Sequence, residues 1–165
     1  MSAASLLYLP ASEVHNSRPL SPCEWKIELT ISVWTDRTRL HSVMTIPEYM
    51  ELWMCLPGAG AGCNAAVREA PGGFRLSGAN WAAQPKSFLA KYKTSRRNKL
   101  IFTWKNEQLE DAGESIVAIR LAGDFARTNV HLKQIGMGSR EGYRWHDVFW
   151  RQSLSRLSVL FHKVA

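Results

Sequence analysis

Five histidines, at positions 15, 41, 131, 146 and 162, are the side chains best placed for proton transfer near neutral pH. Only His146 falls on an apolar helical stripe, one turn before Trp150. A buried imidazole there can act as a general base or orient a polar ligand group. It can equally be a helix-start histidine held by a local hydrogen bond or by water. His131 is expected to face outward, opposite Val130 and Leu132. Gln134 falls on the inward face of its strand by parity, and a buried amide needs partners for its donors and its acceptor. It reads a polar ligand head, or it pairs locally near the strand end. Trp53, Phe102, Trp104 and Trp150 can line an aromatic cavity, or can pack closely with no room to spare. The candidate ligand-binding set is therefore Trp53, Phe102, Trp104, Gln134, His146 and Trp150.

Other chemistries lack their residues. No serine sits in a GxSxG elbow, and no nucleophile–base pair is readable. Glu107, Glu110, Asp111 and Glu114 cluster, but without the spacing or central glycine of a calcium loop, so a solvated loop is expected. Gly58, Gly60 and Gly62 suggest a nucleotide loop. However, the third glycine of that motif would fall on Cys63, and the segment follows a helix, so a connector is expected. Cys23, Cys55 and Cys63 form an odd set without a CxxC pair, which predicts free thiols in a reducing compartment, with the cytoplasm as default. No metal, cofactor or catalytic residue is assigned.

These side chains need elements to hold them. Trp25 to Val33 alternates strictly, as a half-buried strand does. Asp36 can cap a short helix over Arg37–Met44, and Pro47 can open a second one running to about Met54. Short strands then follow at hairpin spacing: 64–69, 74–78, 87–94, 99–105, 115–121 and 128–134. Leu100, Phe102 and Trp104 share one face. Ser139 can cap a closing helix over Arg140–Lys163 that carries Phe149, Trp150, Leu154, Leu157, Leu160 and Phe161 at helical spacing. Asp147 and Arg151 form an i,i+4 pair on its outer side. The fold class is α+β: a curved antiparallel sheet of about six or seven strands around a long C-terminal helix, with two short helices after the first strand.

The chain has 165 residues, 45% of them hydrophobic and 21% charged, with seven Trp; this suits one domain with a real core. Residues 1–21 lack a period and are expected to form a flexible arm outside a domain spanning 22–165. The net charge of +7 is concentrated in Lys86, Lys91, Lys93, Arg96, Arg97, Lys99 and Lys105. A solvated hairpin is expected there, not a nucleic-acid site. No apolar run approaches the length of a membrane span, so no membrane insertion is expected.

Several strings resemble one known group. They are Asp36–Met44 with Pro47-Glu48 and Leu52-Trp53; Leu100–Trp104, ending Phe-Thr-Trp; Glu114-Ser115-Ile116-Val117; Thr128, Val130, Leu132 and Gly136; and Trp150, Leu154 and Leu157. In order and spacing they resemble the START-like (SRPBCC) superfamily with its helix-grip fold, and within it the Aha-like homologues of the activator of heat-shock-protein ATPase. The resemblance covers roughly residues 23–164. It implies a cavity between sheet and final helix, and a small apolar or amphipathic ligand. A protein-interaction module resembling a chaperone ATPase activator, or a homodimer, is one alternative. A cyclase- or isomerase-type enzyme on the same fold is another, with His146 as its one titratable candidate.

Overall fold

The computed structural model describes residues 25–57, 65–78, 87–108 and 113–162. The N-terminal arm, the glycine-rich connector, Lys86, Glu110 and Asp111 lie outside them. The elements are β1 (Lys26–Val33), α1 (Arg37–Thr45), α2 (Pro47–Met50), β2 (Ala66–Ala70), β3 (Gly73–Ser77), β4 (Ser87–Arg96), β5 (Lys99–Asn106), β6 (Ser115–Gly123), β7 (Thr128–Ile135) and α3 (Arg140–Leu160). All seven strands join one antiparallel sheet in the order β1-β7-β6-β5-β4-β3-β2. This is the helix-grip-like α+β arrangement that the pattern predicts.

Strand periodicity decides what faces inward. Val117, Ile119 and Leu121 on β6 and Val130 and Leu132 on β7 are buried, as are Leu100, Phe102 and Trp104 on β5. Their sequence alternates interrupt them with Arg120, Asn129 and Lys133, which are exposed. The first strand pairs with the last, Lys26 opposite Ile135 and Val33 opposite Thr128. The Thr128 hydroxyl donates to the Thr35 carbonyl at 2.7 Å and pins that corner.

The caps form as expected. The Asp36 carboxylate accepts from the backbone N–H of Thr38 and of Arg39, at 2.8 and 3.0 Å. These bonds, the Arg39 one foremost, hold its pKa below the usual carboxylate value. Ser139 accepts from the Gly142 N–H at 3.0 Å. Arg151 and Asp147 meet at 3.0 Å.

Three expectations change. The second helix ends at Met50 rather than near Met54. Beyond it the backbone tightens, Leu52 N–H donating to Tyr49 and Trp53 N–H to Met50. The Trp53 indole donates to the Val43 carbonyl at 3.0 Å and folds the segment back on α1. Strand β4 continues to Arg96, which shrinks the expected four-residue turn to Arg97-Asn98, and an irregularity between Tyr92 and Thr94 absorbs the extra residue. Finally, Cys55 is disulfide-bonded rather than a free thiol, its other half lying outside the described residues. Spacing along the chain could not reveal this, because a disulfide depends on two Cα atoms approaching within about 7 Å in space with their Cβ atoms facing each other. The expectation of a reducing compartment loses the support it drew from free thiols.

Helix α3 lies obliquely across the inner face. Its first turns meet β4, where Trp145 and Phe88 have ring centroids 4.8 Å apart. Its middle reaches β7 through Trp150. Beyond that, Ser153 accepts from the Cys55 N–H at 3.0 Å, and Arg39 of α1 sits over the Phe161 ring at 5.5 Å. Gly73 begins β3 because that strand passes tightly against β4: a Cβ there would lie 1.9 Å from the Ala90 carbonyl oxygen.

Candidate functional site

Five of the six candidate residues meet between the sheet and α3. Phe102 and Trp104 come from β5, Gln134 from β7, and His146 and Trp150 from α3. Trp104 contacts Phe102, His146 and Trp150 at centroid distances of 6.1, 6.3 and 5.6 Å. Trp53 does not join them: it is buried against α1, with its indole bonded to Val43. Its place on α2's tight continuation, not on the sheet, separates it.

Side chains not singled out from the sequence complete the cluster. Phe88 on β4 stacks on Trp104 at 5.2 Å, and Trp145 stacks on Phe149 at 5.3 Å with planes only 9° apart. Phe74 on β3 bridges Tyr92 and Trp104, at 5.8 and 6.1 Å. A readable signal existed. Phe88, Ala90 and Tyr92 share the parity that points inward, and Tyr92 sits opposite Phe102.

The polar atoms divide into two sets. On the β6–β7 side they form a closed relay. The Trp150 indole N–H donates to Gln134 Oε1 at 2.7 Å, Gln134 Nε2 donates to Ser115 Oγ at 2.8 Å, and Ser115 Oγ donates to the Trp104 carbonyl at 3.2 Å. Gln134 and Trp150 are wholly buried, so these bonds satisfy groups that would otherwise be costly. His146 is held similarly: its Nδ1 donates to the Gly142 carbonyl at 2.6 Å, so this nitrogen carries a proton.

On the β4–β5 side, among the described residues, Trp104 Nε1 and Tyr92 Oη have no hydrogen-bond partner. Trp104 is only 2% exposed. Burial pushes the Tyr92 phenol up to about 12. An unpaired buried donor costs about 1–3 kcal/mol, so native structures keep few of them.

Elsewhere the charges are structural. Arg75 forms two bonds to Glu107, at 2.8 and 2.9 Å, and Ser87 donates to the same carboxylate at 2.6 Å. Arg75 first and Ser87 second lower the Glu107 pKa. His131 faces outward and lies 3.3 Å from Glu28. Lys91, Lys93, Arg96, Arg97 and Lys99 are exposed along the β4–β5 hairpin. Among the described residues no group of His, Cys, Asp and Glu is placed to hold a metal ion. No described helix is long and apolar enough to cross a membrane. Among the described residues, grooves lie outside the cluster. One, of about 460 Å³, runs between β1 and α3 along Leu29, Ile31, Leu154 and Val159. Another, of about 530 Å³, lies between the α1–α2 pair and the end of α3, along Val43, Ile46, Tyr49, Leu52 and Leu160.

No family model and no curated protein matches the chain. Solved structures do. Protein CV1439 from Chromobacterium violaceum superposes with a TM-score of 0.69 at 20% identity, covering 82% of this chain and 96% of that one. CalU16 from Micromonospora echinospora gives 0.57 at 16% identity, covering 84% and 76%. DynU16, a protein in the dynemicin biosynthetic locus, gives 0.56 at 15% identity over 81% of this chain and 46% of that one. At these identities the likeness establishes a shared fold.

Proposed function

We propose that this protein binds a small apolar or amphipathic molecule against the aromatic inner face, beneath the first half of α3, with no catalytic step assigned. The observation that carries this reading is the ring lining that runs from Phe74 through Phe88 and Trp104 to Phe149 without a charged side chain. Ligand sites in proteins are mostly apolar and aromatic, with a few placed polar groups. Phe102, Trp104, His146 and Trp150 are the expected lining, Gln134 orients Trp150, and Trp53 supports the helix pair at a distance. The place of DynU16 in a biosynthetic locus agrees with a small organic molecule as ligand. Within the fold, the motif strings ending at Trp104 and beginning at Trp150 favour the Aha-like group.

The neutral dye N-phenyl-1-naphthylamine tests the reading. Its fluorescence should rise saturably with the purified full-length chain, and emission from the tryptophans should fall in step. A native protein that gives neither signal at any accessible dye concentration ends the proposal.

A second reading, an interaction module resembling a chaperone ATPase activator, is favoured by apolar side chains left in water. Tyr49 is 46% exposed, Leu52 51% and Val159 70%, around the α1–α2 groove and the end of α3. Leu52→Ser would then weaken a partner complex without changing dye binding.

A further inference from the structure

We infer that the ligand of this site is a neutral molecule carrying an acceptor oxygen, such as a ketone, quinone, ester or amide, held by the Trp104 indole N–H and the Tyr92 hydroxyl. The inference rests on the binding reading above and narrows it to a chemical class.

Both unpartnered groups can donate. An indole N–H does nothing else. The Tyr92 phenol keeps its proton through the physiological range, because burial holds its pKa at about 12. Both sit on one stretch of the inner face. Tyr92 and Trp104 each contact the Phe74 ring, at 5.8 and 6.1 Å, and each contacts Phe102, at 5.9 and 6.1 Å. The nearby acceptors Gln134 Oε1, Ser115 Oγ and the Trp104 carbonyl are engaged in the relay with Trp150.

The surroundings also set the ligand's charge. The buried polar side chains among the described residues are Thr35, Thr103, Ser115, Thr128, Gln134, His146 and Ser153. None is a carboxylate, a lysine or an arginine. A carboxylate or phosphate would find no lysine or arginine there, and an ammonium no carboxylate; a charge buried without such a partner is costly in an apolar interior. A pure hydrocarbon would enter but leave both donors unpaired. A neutral carbonyl fits all three conditions. A site built to donate hydrogen bonds rejects an analogue that lacks the acceptor, because its own buried groups are then left bare.

Competition against N-phenyl-1-naphthylamine tests the class with three probes of one shape: fluorene, 9-fluorenone and fluorene-9-carboxylate. With the unaltered chain, fluorenone should compete about tenfold more strongly than fluorene, equivalent to about 1.4 kcal/mol. The carboxylate should not compete. Trp104→Phe should bring the fluorenone-to-fluorene ratio to within about twofold of unity, and Tyr92→Phe should lower it partly. In the unaltered protein, the Trp104 indole proton should move downfield in ¹H–¹⁵N spectra on adding fluorenone and not on adding fluorene. This readout holds even if Trp104→Phe folds poorly. Equal competition by fluorene and fluorenone overturns the inference and leaves the binding reading standing, as does an unmoved indole proton or tighter binding of the carboxylate. Failure of the dye itself to bind removes both.

Discussion

Trp104 and Trp150 have ring centroids 5.6 Å apart, and neither is more than 2% exposed, yet the two halves of the interior they anchor are built differently. Trp150 stands at the head of a relay in which each donor finds an acceptor: Gln134, then Ser115, then a backbone carbonyl. Trp104 has its backbone in that relay and its indole N–H outside it. The β6–β7 half fixes α3 on the sheet. The β4–β5 half is also built of rings but leaves Trp104 Nε1 and Tyr92 Oη without a hydrogen-bond partner. Two tryptophans equal in size and burial thus carry different meanings, and the partner of one nitrogen separates them.

The largest expected effect lies on the satisfied side. Trp150→Ala should cost about 3–5 kcal/mol, as truncation of a packed aromatic does. At about 2–4 °C per kcal/mol for a domain of this size, thermal melting should drop by about 6–20 °C. A loss under about 2 kcal/mol would mean that the relay does not hold the helix.

The next effect is alkaline. Tyr92 titrates near 12 when folded and near 10 when unfolded, so above pH 10 the unfolded chain binds fewer protons than the native one. Its contribution is intact below pH 10 and is lost as pH rises towards 12, by about 2–3 kcal/mol. Tyr92→Phe should flatten that part of the denaturant-midpoint profile. An unchanged slope would place the phenol in water.

Matched Trp→Phe changes sharpen the contrast. Trp150→Phe strands Gln134 Oε1, whereas Trp104→Phe removes a group that had no partner. In urea unfolding of the ligand-free protein the first should cost about 1–3 kcal/mol more than the second. Equal costs would erase the distinction between the halves. The smallest effects should differ in sign. Ser115→Ala should destabilise by about 1 kcal/mol, and Tyr92→Phe, at neutral pH, should be neutral or slightly stabilising. A clear loss from Tyr92→Phe would show that the hydroxyl is satisfied.

Much of this architecture was legible. Strict alternation located β1, and parity placed Phe102, Trp104 and Gln134 inward, because a strand's period of two leaves little freedom. The helical stripe located α3, and Asp36 and Ser139 marked helix starts. What failed depended on neighbours far along the chain. Nothing in the spacing of Trp150 and Gln134 says that one donates to the other; that follows only from how α3 crosses β7. Tyr92 is masked in the sequence because it lies among lysines in a hairpin that reads as solvent-facing, next to an irregularity that disturbs the alternation. Trp53 looked equivalent to the other tryptophans until the tight turns after Met50 drew it to Val43. The disulfide at Cys55 depended on proximity in space.

The pairing of β1 with β7 predicts an order of events during folding. Thr30 and His131 touch across 101 residues of chain. Each hairpin from β2 to β7 closes a short loop and can form early. The first strand must wait for the last, and α3 cannot find its full seat until both are in place. Long closures are slow because their entropy is spent before any contact repays it. This long closure predicts that β1, ahead of the other strands of the sheet in the chain, is secured after them, and that its apolar face stays uncovered during that wait.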